Sequence, residues 1–354
     1  MMRRDNPLKN WTLSCDAIYH VGHDLQRPEC VLAEPDGTLW VADARGGVMR
    51  VGKDGTQQLI AQTVSGQFAS AQDTKARLLH GTLPNGLAFD ANGDFLIANF
   101  GSDVLEFMSR DGRTRTLYDN IDGKPIGKVN FVTRDTKNRL WISVSTRVNP
   151  WSDAVCSTLS DGFVALADER GLRIVADGFA FTNEVRLDAD EAYLYVAETT
   201  ANRVSRLRIE SDGSLSAREI YGPSDLGPGL IDGIAFDAFG NLWGAMCLSD
   251  RLVAITPEGD LLTLFDDGDP EATRRFQAEF NTGRPVSFDT MAACVGTVAP
   301  WMASITFSGP DLRTVCIGSL RGTTIPCFTA PVAGLPLVHW NERQLCQRQT
   351  GRTS

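Results

Sequence analysis

No run of about 20 apolar residues occurs in this 354-residue chain, which excludes a membrane-spanning helix. Histidine is scarce: the four (20, 23, 80 and 339) are scattered, which disfavours a zinc or iron centre built on imidazole. The eight cysteines (15, 30, 156, 247, 294, 316, 327 and 346) show no C-x-x-C spacing, so reduced thiols are expected, with a Cys15–Cys346 bridge as the alternative. There is no G-x-S-x-G elbow to carry a Ser-His-Asp hydrolase. Positive charge is also short, with 34 Lys and Arg against 44 Asp and Glu and a net charge of −10. That balance disfavours nucleic acid and anionic membrane as partners and suits a cation or a small neutral substrate. The opening MMRRDNPLKNW has basic residues but no apolar stretch behind them, so no secretory signal and a cytoplasmic protein are expected.

What the chain does have is a register. Glu29, Asn85, Asn130, Asn183 and Asp232 each stand five residues ahead of an acidic residue: Glu34, Asp90, Asp135, Asp188 and Asp237. Three residues further on comes a turn position, Gly37, Gly93, Asn138, Glu191 or Gly240, and then an apolar strand such as Leu39-Trp40 or Leu242-Trp243. Units of about 40 to 50 residues filled with short alternating strands point to propeller blades. The first unit splits into four strands, CVLAEPDG, TLWVADARGG, VMRVGKDG and TQQLIA, and the fifth repeats this. A sixth, less regular unit places Ser304 at the corresponding register. The prediction is an all-β single domain over 1–354, a six-bladed β-propeller with four-stranded antiparallel blades around a central channel. A strand from about 11–21 would close the last blade and remove exposed edges. Three stretches fall outside the pattern: 62–82, with a possible short helix; 146–161, a candidate lid or pocket wall; and 269–285, a helical turn with a loop before the sixth blade.

Innermost strands of a propeller run along the channel, so the register residues converge on its mouth. Two carboxylates and three amides make an all-oxygen set that suits Ca²⁺ better than Zn²⁺. Asn85, in Pro84-Asn85-Gly86, reads equally as turn chemistry. The acidic second members read as turn formers that bond backbone amides.

The stretches RPECVLAEPDGTLWVAD, KVNFVTRDTKNRLWIS, FTNEVRLDADEAYLYVAE and IDGIAFDAFGNLWGAM resemble the senescence-marker/gluconolactonase family over about 27 to 340. That resemblance implies a six-bladed propeller with one catalytic divalent cation, held by Glu29, Asn183 and Asp232, with Asn130 touching metal or substrate. Calcium is the first choice, and Zn²⁺, Mg²⁺ and Mn²⁺ are alternatives. Lys128 and Phe131 stand where family lactonases often carry Arg and Asp, and Glu184 where Gly is usual. The implied reaction is metal-dependent hydrolysis of a lactone or related ester, with Asp232 as base or nucleophile, Asn130 orienting the bound oxygen and Lys128 contacting substrate. Asn85, Phe100, Trp151, Met246 and Trp301 are candidate substrate contacts, and the apolar ones favour a substrate less polar than a free sugar. The alternatives are a metal-dependent lyase or isomerase acting on a carbonyl compound, and a binding propeller with a structural calcium. Oligomeric state is left open.

Overall fold

The computed structural model describes residues 5–62 and 82–342. Strand β1 (Tyr19–Val21) is followed by the first blade: β2 (Val31–Ala33), β3 (Leu39–Asp43), β4 (Gly47–Val51) and β5 (Gln57–Ala61). The second blade is β6 (Pro84–Phe89), β7 (Phe95–Asn99), β8 (Val104–Met108) and β9 (Thr114–Tyr118). A small hairpin, β10 (Asn120–Ile121) and β11 (Lys124–Pro125), leads to the third: β12 (Val129–Arg134), β13 (Leu140–Val144), β14 (Gly162–Asp168) and β15 (Gly171–Phe179). The fourth is β16 (Thr182–Leu187), β17 (Tyr193–Glu198), β18 (Arg203–Arg208) and β19 (Glu219–Tyr221). The fifth is β20 (Leu230–Phe236), β21 (Leu242–Cys247), β22 (Arg251–Ile255) and β23 (Leu261–Asp266). The sixth is β24 (Met302–Ser308), β25 (Thr314–Ser319) and β26 (Ile325–Thr329), completed by β1. Innermost strands β2, β6, β12, β16, β20 and β24 each contact the next, and β24 returns to β2. The predicted propeller is the observed one.

The acidic residues build the blades. Each carbonyl at position 34, 90, 135, 188 and 237 accepts from the amide three residues on. That residue adopts left-handed backbone, with φ of 92° at Gly37, 61° at Asn138 and 51° at Glu191, which a type I turn followed by a left-handed residue requires. The carboxylates of Asp135 and Asp237 go further: each accepts backbone amides of its turn and the indole N–H of the blade's tryptophan, Trp141 at 3.0 Å and Trp243 at 2.9 Å. Glu34, one methylene longer, accepts from Trp40 at 2.6 Å. One side chain thus satisfies a turn and a buried aromatic donor together.

Closure departs from expectation in its extent. Tyr19, His20 and Val21 pair with Cys327, Pro326 and Ile325, but Cys15–Ala17 form a 3₁₀ turn. Trp11 instead packs its ring 5.9 Å from Trp243. In 269–285 the helical turn is a full helix, α1 (Pro270–Phe280), capped by Asp269, and a second helix, α2 (Phe288–Ala293), follows. The possible helix in 62–82 lies almost entirely outside the described residues. The seven described cysteines are free thiols, and Cys346 is not among the described residues. No helix among the described residues is long and apolar enough to cross a membrane.

Candidate functional site

Four of the five register residues, and Ser304 at the sixth position, sit in a strand irregularity; Glu29 instead precedes the regular strand β2. The antiparallel register shifts between Pro84 and Leu87, Val129 and Phe131, Thr182 and Val185, Ile231 and Ile234, and Met302 and Ile305. These bulges contain Asn85, Asn130, Asn183, Asp232 and Ser304. A bulge re-aims a side chain that strict alternation would send elsewhere. The bulged segments approach closely: a Cβ on Gly86 would stand 2.6 Å from Phe131 Cα, and one on Gly233 2.3 Å from the Ala303 carbonyl. Only glycine fits there.

The convergent side chains floor a cavity of about 650 Å³ at one end of the channel. Glu29, Asn85, Asn130, Asn183 and Asp232 all line it, and all are buried. Asn85 is the spacer of the group. Arg27 Nη2 donates to its Oδ1 at 2.6 Å, which turns its Nδ2 toward Glu29 Oε1 and the Asn130 carbonyl, both at 3.0 Å. Asn183 spends its amide on Thr199 Oγ1 at 3.0 Å. Two buried acceptors, Glu29 Oε2 and Asn183 Oδ1, then have no donor. Such atoms are costly unless a ligand meets them. At the sixth position the Ser304 hydroxyl donates to the Glu29 backbone carbonyl and fixes the main chain there.

Burial pushes Glu29 well above the usual carboxylate range. Asp232 is raised to about 7, first by burial and then by the charge of Glu184. Two carboxylates that resist ionisation beside two unspent oxygens form a set that a hard divalent cation fits. Among the described residues no three His, Cys, Asp or Glu side chains cluster closely enough to hold an ion. The remaining oxygens here come from amides. Cys247 also lines the cavity, but burial holds its thiol well above the ordinary value, so it does not supply a thiolate.

Below the cluster Glu184 and Arg186 pair at 2.7 Å, and the guanidinium lies 4.2 Å over the Phe131 ring. Beyond them a second cavity opens at the other end of the channel and is lined by Phe89, Phe307 and the segment around Leu335–Trp340. None of the five register residues lines it; all five line the cavity at the first end.

The two insertions roof the site together. Val286 N donates to the Val155 carbonyl at 3.1 Å, and the Ser157 and Thr158 hydroxyls bond the Phe280 and Gly283 carbonyls. Trp151 and Val155 of the 146–161 stretch line the cavity, so it stands as a pocket wall, held by the end of α1 and the segment after it. Phe100 and Trp151 meet edge to face at 5.9 Å, and with Trp301 they form aromatic walls.

Two of the sequence's candidates lie elsewhere. Met246 is fully buried between blades. Strand alternation gives Cys247, its neighbour, the cavity-facing side. Lys128 is buried with its Nζ 2.8 Å from Asp103 Oδ1 and does not line the cavity. The bulge at Asn130 breaks the two-residue spacing that would have placed both on one face. Sequence reasoning passed over Arg27, Phe181 and Thr199, all lining residues. Arg27 carried a signal, since it stands two residues before Glu29.

The family profile described as "SMP-30/Gluconolactonase/LRE-like region" matches residues 27–268. A 6-deoxy-6-sulfogluconolactonase of Pseudomonas putida is 25% identical over 49% of this chain and 53% of its own length. A pentonolactonase of Haloferax volcanii is 32% identical over 45% of this chain and 57% of its own. The chain thus spans about half the length of the curated relatives it matches. Among solved structures, a calcium-binding protein of Agrobacterium tumefaciens, regucalcin, aligns with TM-score 0.61 and 16% identity over 89% of this chain and 94% of its own. With two thirds of the sequence inside the profile and the propeller shared, this chain belongs to the SMP-30/gluconolactonase/LRE-like family.

Proposed function

We propose that this protein is a metal-dependent hydrolase that opens a lactone or related ester in the roofed cavity. The observation that carries the reading is the pair of unspent buried acceptors, Glu29 Oε2 and Asn183 Oδ1, in one cavity with Asp232, whose pKa lies at about 7. Glu29, Asn183 and Asp232 would hold the cation, with Asn130 beside them, and calcium suits the all-oxygen set. A bound divalent cation supplies Lewis acidity toward the substrate carbonyl and offsets charge developing on its oxygen. Asp232 accepts the proton of the attacking water at its carboxylate, or itself attacks the carbonyl carbon. Asn85 keeps Glu29 and Asn130 oriented by donating to both. The aromatic roof excludes water from competing reactions. Two matched relatives are named lactonases, and one structural neighbour is named for calcium binding, in agreement with this reading.

The test strips the protein with a chelator and assays lactones and aryl esters with Ca²⁺, Mg²⁺, Mn²⁺ or Zn²⁺ restored. Turnover without metal, or full activity in Asp232→Asn, would sink the proposal. Product mass separates hydrolysis, which adds one water, from a lyase or isomerase reaction, which does not.

A further inference from the structure

The cavity has unspent donors as well as unspent acceptors. Arg27 donates to the Pro84 carbonyl at 3.3 Å and to Asn85 Oδ1 at 2.6 Å, both uncharged acceptors. Its Nε is buried without a partner, and so is the indole Nε1 of Trp301. Arginine and tryptophan side chains only donate, so neither can be satisfied except by an acceptor. Both residues line the same cavity as the acidic cluster. Both also hold left-handed backbone, φ 54° and 56°, which costs a bulky residue roughly 1–3 kcal/mol and gathers at functional positions.

Charge points the same way. The cavity's lining carries one guanidinium, Arg27, and two carboxylates, Glu29 and Asp232. Glu184 and Arg186 below it neutralise each other. A divalent cation on the two carboxylates balances them and leaves the Arg27 charge unmatched between walls such as Phe100, Trp151, Phe181 and Leu248. A buried charge without a counter-charge is unfavourable. The counter-charge has to come from what enters the cavity.

We infer that Arg27 and Trp301 bind an anionic oxygen group on the substrate, so that the preferred lactone carries a carboxylate or sulfonate on an otherwise apolar body. This rests on the lactonase reading for the word lactone, but the anion site stands on its own residues. Arg27 is then a specificity-determining residue: its planar fork reads the anion while the carbonyl lies at the acidic cluster.

The experiment uses two rigid aromatic lactones that differ only in charge, 5-carboxyphthalide and its carboxamide. Each is titrated calorimetrically into the full chain loaded with calcium. A charge-assisted hydrogen bond predicts at least about tenfold tighter binding of the carboxylate. The preference should fall to about twofold or less in Arg27→Gln, survive in part in Arg27→Lys, and drop partway in Trp301→Phe. Arg27→Lys keeps the comparison open where loss of the Asn85 contact unfolds the Gln variant. Equal affinities in the wild type overturn the inference. So does a preference unchanged in Arg27→Gln, which would place the carboxylate on the cation instead. Ring opening is followed separately by mass. Preference without turnover leaves the anion site and removes the hydrolase; turnover of both probes at equal kcat/KM does the reverse.

Discussion

Asp232 makes metal-free protein pH-sensitive in a direction opposite to most carboxylates. Its pKa rises from 3.8 to about 7 in the fold because burial, and then the Glu184 charge, disfavour the ion. Stability attached to a raised carboxyl is fully present below pH 3.8 and is lost as pH climbs to about 7. At about 1.4 kcal/mol per pH unit, the loss reaches roughly 2 kcal/mol at pH 5 and roughly 4 kcal/mol at pH 8. Unfolding entropy for 354 residues makes about 0.7 kcal/mol equal to one degree. Asp232→Asn, which removes the charge and keeps the shape, should therefore raise the metal-free Tm by about 2 °C at pH 5 and about 6 °C at pH 8. Calcium should show the mirror image. At 100 times its Kd at pH 8 it adds about 2.7 kcal/mol, or about 4 °C. At pH 5 the same concentration must first displace a proton from Asp232, which weakens binding about 100-fold and cuts the gain below about 1 °C. Thermal unfolding at four pH values, with chelator or calcium, in both proteins, measures this. A calcium-induced rise equal at pH 5 and pH 8, or one that persists in Asp232→Asn, refutes the reasoning.

The other expectations follow from single contacts. Glu29→Gln removes one of two carboxylates and should weaken calcium at least about tenfold by calorimetry, because each lost ligand charge acts in a water-poor site. Lys128→Met should change kcat/KM less than about tenfold on any lactone the wild type turns over, since Lys128 pairs with Asp103 away from the cavity. A loss as large as that of Asp232→Asn would return Lys128 to the site. Asp237→Ala strands the Phe239 and Asn241 backbone amides and the Trp243 indole, and takes one of two acceptors from Gly240 N and the Asn241 side-chain amide, and should cost about 3 kcal/mol or more by urea unfolding. Asp188→Ala, whose carboxylate accepts from Ala192 and Tyr193, should cost about 1 kcal/mol.

Five of the six blades and their order were legible in the sequence because one short signal, an acidic residue followed by a left-handed turn position and an apolar or aromatic strand, builds the first turn of each; the sixth turns at Gly309 instead and was legible only by its spacing. Asp135 and Asp237 show why it recurs: a single carboxylate caps the turn and satisfies the Trp indole. The ligand-type residues were legible for the related reason that they keep a fixed distance from that device. What lay beyond the sequence was which way neighbours of those residues point. Alternation alone would put Lys128 on the same side as Asn130, and the bulge between Val129 and Phe131 undoes that. It likewise offers no choice between Met246 and Cys247 until the partner of β21 is known.

Asn85 shows how a symmetric ring yields an asymmetric site. Its register is that of Asn130 and Asn183, yet it is no candidate cation ligand, because Arg27 occupies its carbonyl oxygen and leaves only its amide to face the cluster. Asn183 is turned the other way by Thr199, which takes its amide and leaves the oxygen bare. The same residue type at the same register thus presents a donor in one blade and an acceptor in another. The neighbours that decide this, Arg27 and Thr199, lie two residues before and sixteen residues after the positions that sequence periodicity marks. A periodic pattern locates the ring of side chains; the unrepeated residues around it assign each one its chemistry.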